Sequence, residues 1–99
     1  MQEIYEVFLS AHARDDLAEI FEYIGADSRE NTAAFLSAVE EKIRSLATMP
    51  ERAPMIPENV QLGTGYRHLV HDRYRIIFRI QGTSVLILRV VHGARLLQM

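Results

Sequence analysis

From Glu3 to Leu9 apolar and polar positions alternate, with Tyr5, Val7 and Leu9 pointing one way and Glu6 the other. A period of two over so short a run predicts a strand with one buried face. Ser10 stands where a helix N-cap would, its hydroxyl placed to accept from the free amides of a first turn. From Ala13 the spacing changes. Leu17, Ile20, Phe21 and Ile24 fall at i, i+3, i+4 and i+7, a single helical stripe, while Asp15, Asp16, Glu19 and Glu22 take the other faces. Gly25 to Ser28 interrupts the stripe, with Ser28 as a second cap. A second helix then runs to about Ala47 along Phe35, Leu36, Val39, Ile43 and Leu46. Two helices joined by so few residues lie antiparallel, and their stripes need a sheet or a partner to cover them.

Pro50, Pro54 and Pro57 make Met49 to Leu62 a loop without regular ladder bonds, closed by Gly63 and Gly65. Strands are predicted at Tyr66 to Val70, Arg73 to Ile80 and Ser84 to about Val91. They are joined by a turn at His71-Asp72 and a tight hairpin at Gln81-Gly82-Thr83-Ser84. The order β-α-α-β-β-β implies an α+β fold, an antiparallel sheet with the N-terminal helical hairpin packed on one face. With 99 residues and no internal repeat, residues 1–99 read as one domain.

Composition narrows the chemistry. At 48% hydrophobic and 24% charged residues, disorder over most of the chain is excluded. Without cysteine there is no disulfide, thiolate zinc site or cysteine nucleophile. No apolar run approaches the ~18 residues of a spanning helix, and Met1 to Leu9 lacks the basic start and apolar middle of a signal peptide. The expected location is cytoplasmic, away from membranes.

The net charge of −2 conceals an asymmetry. Residues 1–60 hold twelve acids against five bases, and residues 61–99 hold six arginines against Asp72 alone, so the two parts carry −7 and +5. Such a split hints at an anionic partner. Strand alternation then sorts the arginines. Tyr74, Ile76, Phe78 and Ile80 share one face, and Arg73, Arg75, Ile77 and Arg79 the other. In the last strand Leu86, Leu88 and Val90 oppose Val85, Ile87, Arg89 and Val91. With the Tyr74/Phe78/Leu88 set as core, the second face mixes arginine with β-branched residues (Arg75, Ile77, Ile87, Arg89, Val91). An open face of that kind calls for a partner, although arginines on a sheet's solvent face also serve simply to keep it soluble. Arginine outnumbers lysine ten to one, which favours planar, bidentate contacts to carboxylate or phosphate.

His68 and His71 lie on opposite faces of a strand end and His12 is distant in sequence, so no metal site is expected, and no cofactor. His92, after the last strand, suits either a general acid or a hydrogen bond to the chain end. There is no glycine-rich phosphate loop, nucleophile elbow or serine–histidine pairing.

Several segments together resemble the RelE/ParE superfamily of type II toxin–antitoxin toxins. The first half contributes Ala13-Arg14-Asp15-Asp16-Leu17-Ala18-Glu19-Ile20 with Tyr23-Ile24, Ala34-Phe35, and Leu46-Ala47-Thr48-Met49-Pro50. The second contributes Tyr66-Arg67, Tyr74-Arg75-Ile76-Ile77-Phe78-Arg79, and Leu88-Arg89-Val90-Val91-His92-Gly93-Ala94-Arg95. The resemblance implies a β-α-α-β-β-β fold, a bacterial or archaeal cytoplasm, and a cognate antitoxin whose acidic segment folds on binding. Two activities divide the family. RelE-like members cut messenger RNA at the ribosome, and ParE-like members poison DNA gyrase. Arg75 matches the arginine of the Tyr-Arg strand motif common to both. Arg89, His92, Gly93 and Arg95 match the Arg-Val-x-His-Gly-x-Arg ending typical of ParE-like chains. The lysines that RelE-like members commonly bring from the region before the central strands are absent here, as is a glutamate base on the sheet.

The leading expectation is thus a ParE-like (plasmid stabilisation) toxin that inhibits gyrase by binding. Arg75, Arg89, His92, Arg95, Arg67, Ile77 and Ile87 would form its target- and antitoxin-binding surface. The alternative is a ribosome-dependent endoribonuclease with His92 as acid–base and Arg75, Arg89 and Arg95 on phosphate. A non-toxic binding module of the same fold is a further alternative. Self-association, through the hairpin or a strand edge, is left open by the residues.

Overall fold

A computed structural model describes residues 4–93, so Glu3 and Arg95 lie outside the described residues. In chain order the elements are β1 (Glu6–Leu9), α1 (Ala11–Gly25), α2 (Arg29–Ser45), a 3-10 turn (Pro50–Arg52), α3 (Asn59–Leu62), β2 (Arg67–His71), β3 (Tyr74–Gln81) and β4 (Ser84–His92). Both expected caps form. The Ser10 hydroxyl accepts from the Ala13 amide at 3.0 Å, and the Ser28 hydroxyl from the Asn31 amide at 3.2 Å. Each satisfies one of the free amides a helix start leaves, worth about 1 kcal/mol. Among the described residues no helix is long and apolar enough to cross a membrane.

The α+β class and the element order are as expected, and one pairing differs. The strand order is β1-β4-β3-β2, with β2–β3 and β3–β4 antiparallel but β1 parallel to β4. The sheet is therefore mixed. No tight turn links β1 to β4; the helices and the other two strands intervene, and a crossover of that length permits the parallel sense. The hairpin packs its stripes on the sheet. Leu17 and Ile20 of α1 and Phe35 and Val39 of α2 meet Ile76, Phe78, Val85, Ile87 and Val90. Full burial of each such side chain is worth about 1.5–3 kcal/mol.

Two expectations about the other face fail. First, β4 carries a bulge. Ile77 pairs with Arg89 and Phe78 with Ile87, so Leu88 is extra and the alternation flips there. Before the bulge Val85 and Ile87 face the helices and Leu86 does not. Only beyond it do Val90 face inward and Arg89 and Val91 outward, as expected. Second, the outer face is not open. Residues 53–66 fold back across it as a strap, placing Ile56, Leu62 and Tyr66 over Ile77 and Val91.

The strap was expected to lack ladder bonds, yet it borrows some from β2. Ile56 donates its amide to the Tyr66 carbonyl at 3.0 Å, and His68 donates to Pro54 at 3.1 Å. Asn59 ties the strap to itself, donating to the Tyr66 carbonyl at 2.9 Å and accepting from the Tyr66 amide and the Thr64 hydroxyl.

Candidate functional site

Beneath the strap, β3 projects Arg75 outward, opposite to Ile76 in the core. Its guanidinium donates from Nη1 to Glu58 Oε1 at 3.0 Å and from Nη2 to Oε2 at 2.5 Å. The two side chains are 7% and 8% exposed. This fork-on-fork geometry fits the planar guanidinium to the planar carboxylate, and it closes the strap over the sheet. His68 lies in the next strand, opposite Ile77. Its Nδ1 finds no hydrogen-bond partner among the described residues. Burial, and then the Arg75 cation, lower its pKa against a smaller opposing pull from Glu58.

Arg89 sits just past the bulge, where β1 has ended and one edge of β4 is uncovered. Asp16, two turns into α1, fills that place. Its carboxylate accepts from Arg89 Nε at 2.8 Å, from Arg89 Nη2 at 3.0 Å and from the backbone amide of Val90 at 2.9 Å. A side chain thus takes over the ladder bond that a longer β1 would have made. The Asp16 hydrogen bonds raise the Arg89 pKa, outweighing the cost of burial. Arg67 turns to the start of the strap and donates to the carbonyls of Glu51 at 3.1 Å and Ala53 at 2.7 Å.

His92 closes β4 on the helix side of the sheet. It pairs with Tyr74 in register, and the two rings meet edge to face with centroids 5.8 Å apart. Tyr74 in turn stacks edge-on against Phe35 at 5.4 Å. A shallow depression of about 350 Å³ opens here, lined by Glu19, Ile20, Tyr23, Arg73, Tyr74 and His92. The Gly93 amide donates to the Arg73 carbonyl at 2.6 Å. A Cβ at Gly93 would sit 3.3 Å from that oxygen, so glycine permits the close approach that sets His92 beside Arg73.

The seven residues expected to share one surface are therefore dispersed. Arg75 and Ile77 are buried under the strap, and Ile87, shifted by the bulge, lies in the main core. Arg89 is held by Asp16 and Arg67 by backbone carbonyls, while Arg95 lies outside the described residues. His92 is exposed, on the face opposite to Arg75. Sequence reasoning missed Glu19, Tyr23 and Arg73 as its neighbours. The i, i+4 spacing of Glu19 and Tyr23 shows a shared helix face, but only the tertiary fold shows what that face meets. Among the described residues no group of three His, Asp or Glu side chains is placed to hold a metal ion.

A family profile described as the ParE toxin of type II toxin–antitoxin system, parDE, matches residues 7–97. The chain belongs to the ParE toxin family. Its fold is similar to that of the chromosomal ParDE TA system from P. aeruginosa. The TM-score is 0.74 at 20% identity, covering 91% of this chain and 97% of the other. The toxin–antitoxin complex RelBE2 from Mycobacterium tuberculosis is similar with a TM-score of 0.60 at 29% identity, over 93% of this chain and 94% of that one. No curated protein matches. In this ParE-family toxin, then, the Tyr74-Arg75 pair divides between the two sides of the sheet. Tyr74 joins the aromatic row that ends in His92, and Arg75 anchors the strap.

Proposed function

We propose that this ParE-family toxin acts by binding DNA gyrase rather than by chemistry of its own, and that a cognate antitoxin with an acidic, folding segment neutralises it in the cytoplasm. The placement of the cations carries this reading. Cleavage of RNA through a 2′-hydroxyl needs a base, an acid and a cation at the developing oxyanion, all at one point. Here Arg75 is buried against Glu58, Arg89 is engaged by Asp16, and His92 stands across the sheet from Arg75. The accessible polar groups around His92, namely Arg73, Tyr23 and Glu19, suit recognition of a protein surface.

A side-by-side assay of gyrase supercoiling and translation-dependent message cleavage tests the reading. Loss of supercoiling with intact message is the expected result. Supercoiling untouched at high excess of toxin overturns it. The likeness to RelBE2 at 29% identity favours one second reading, a ribosome-dependent endoribonuclease using His92 as acid–base and Arg75, Arg89 and Arg95 on phosphate. Its signature is codon-positioned cuts that vanish in His92→Ala.

A further inference from the structure

A mixed four-stranded sheet leaves three stretches of edge, and this chain covers much of two of them itself. The start of the outer edge of β2 is paired by residues 54–56 of the strap, through the Met55–Arg67 bridge and its flanking bonds, which leaves a short end at the exposed Val70. The far half of β4 is capped by the Asp16 carboxylate. The third stretch is β1. Glu6 and Ser10 direct their amides at Thr83 and Ile87 of the β4 side. By strand alternation Val7 and Leu9 direct theirs away from the sheet. Tyr5, one step earlier, is taken by the Ala47 carbonyl, so the open edge is confined to Val7–Leu9. It has no proline and no bulge, the usual guards of an exposed edge.

Both sides of this edge are apolar. On the outer face Phe8 is 49% exposed, in register with Leu86. On the helix side a groove of about 450 Å³ runs between β1 and α2, lined by Val7, Leu9, Leu36 and Ile43, with Glu40 and Arg44 at its rim. Those two charges are opposite in sign and one turn apart on the same helix.

We propose that β1 is the two-fold interface of a homodimer, in which a second copy extends the sheet to eight strands. The geometry is self-complementary. In antiparallel pairing about an axis at Phe8, Val7 of each copy exchanges both backbone bonds with Leu9 of the other. The two Phe8 residues then form the close, non-hydrogen-bonded pair at the axis, where aromatic rings pack well. The same axis sets the two α2 helices antiparallel, so Glu40 of one copy faces Arg44 of the other. An isologous contact requires such a pairing of a surface with itself, and the two grooves close on each other.

Light-scattering mass measurements across protein concentration, on the full chain, test this. The mass is expected to rise from one chain of 11.4 kDa toward two, with the Val7 and Leu9 amides gaining hydrogen-exchange protection in step. Phe8→Glu, at a half-exposed position, sets two carboxylates face to face and moves the midpoint to at least about tenfold higher concentration. Glu40→Arg alone weakens the dimer, and Glu40→Arg combined with Arg44→Glu restores it. That swap decides the matter even if Phe8→Glu fails to fold. A single-chain mass at every concentration overturns the proposal. So does a dimer indifferent to the charge swaps, or edge amides protected only when a different protein is added.

Discussion

Arg75 and Arg89 each meet a carboxylate through two hydrogen bonds, and the surroundings of the two pairs differ. The Arg75–Glu58 pair is sealed between sheet and strap, with both side chains under a tenth exposed. The Arg89–Asp16 pair sits at the sheet's edge, with 14% and 11% exposure, and its carboxylate also holds a strand amide. A sealed pair costs much to desolvate and more to break, because the survivor stays buried and charged. An edge pair can recruit water when one partner is lost. Equal chemistry therefore has unequal consequences: one pair decides whether the outer face stays covered, the other trims the end of a strand.

Removing one carboxylate at a time exposes the difference. Glu58→Ala strands the Arg75 guanidinium under the strap and is expected to lower unfolding free energy by about 3–5 kcal/mol. Replacing both partners with apolar residues, Glu58→Leu with Arg75→Met, should recover most of that loss. Denaturant titration of the three proteins checks both outcomes. If Glu58→Ala proves harmless, the strap is not anchored there.

Asp16→Ala is expected to cost less, about 2 kcal/mol, since solvent reaches the bonds it vacates. Faster amide exchange at Val90 in that variant, with Ile77 and Phe78 unaffected, would localise the loss to the strand edge.

The smallest effect concerns His68. Its folded pKa lies below the ordinary value, so the unfolded chain takes up its proton first as pH falls. The stability it carries is complete above the unfolded pKa of about 6.5 and is lost as pH drops through the lower folded value. His68→Leu should flatten that part of the pH–stability curve. A curve unaltered by the substitution would place the titration elsewhere.

The readable parts of this fold are those whose causes are local. Ser10 and Ser28 announce helix starts, the stripe Leu17–Ile20–Phe21–Ile24 announces a packed helix, and Tyr74–Ile80 announces a strand with two unlike faces. A bulge has no such mark. Nothing in Leu86-Ile87-Leu88-Arg89, where three of four residues are apolar, says which is the extra one, and one slip sent Val85 and Ile87 to the wrong side. The strap was unreadable for a different reason. Its two prolines, Pro54 and Pro57, break any period, so Ile56 and Glu58 looked like loop residues rather than the cover of β3. The charge split misled in a related way. Two of the six arginines behind the +5 are matched by acids from the −7 part, 17 and 73 positions away along the chain. Composition counts charges, whereas folding pairs them.

The parallel pairing of β1 with β4 also sets an order of events during synthesis. The Ser10 hydroxyl bonds the Leu88 carbonyl across 78 positions, and Glu6 to Leu9 align with Ser84 to Ile87. When the helical hairpin leaves the ribosome, the strands it will cover have yet to emerge. β1 must wait for β4 before its ladder can form, with the slow closure that such distant contacts impose.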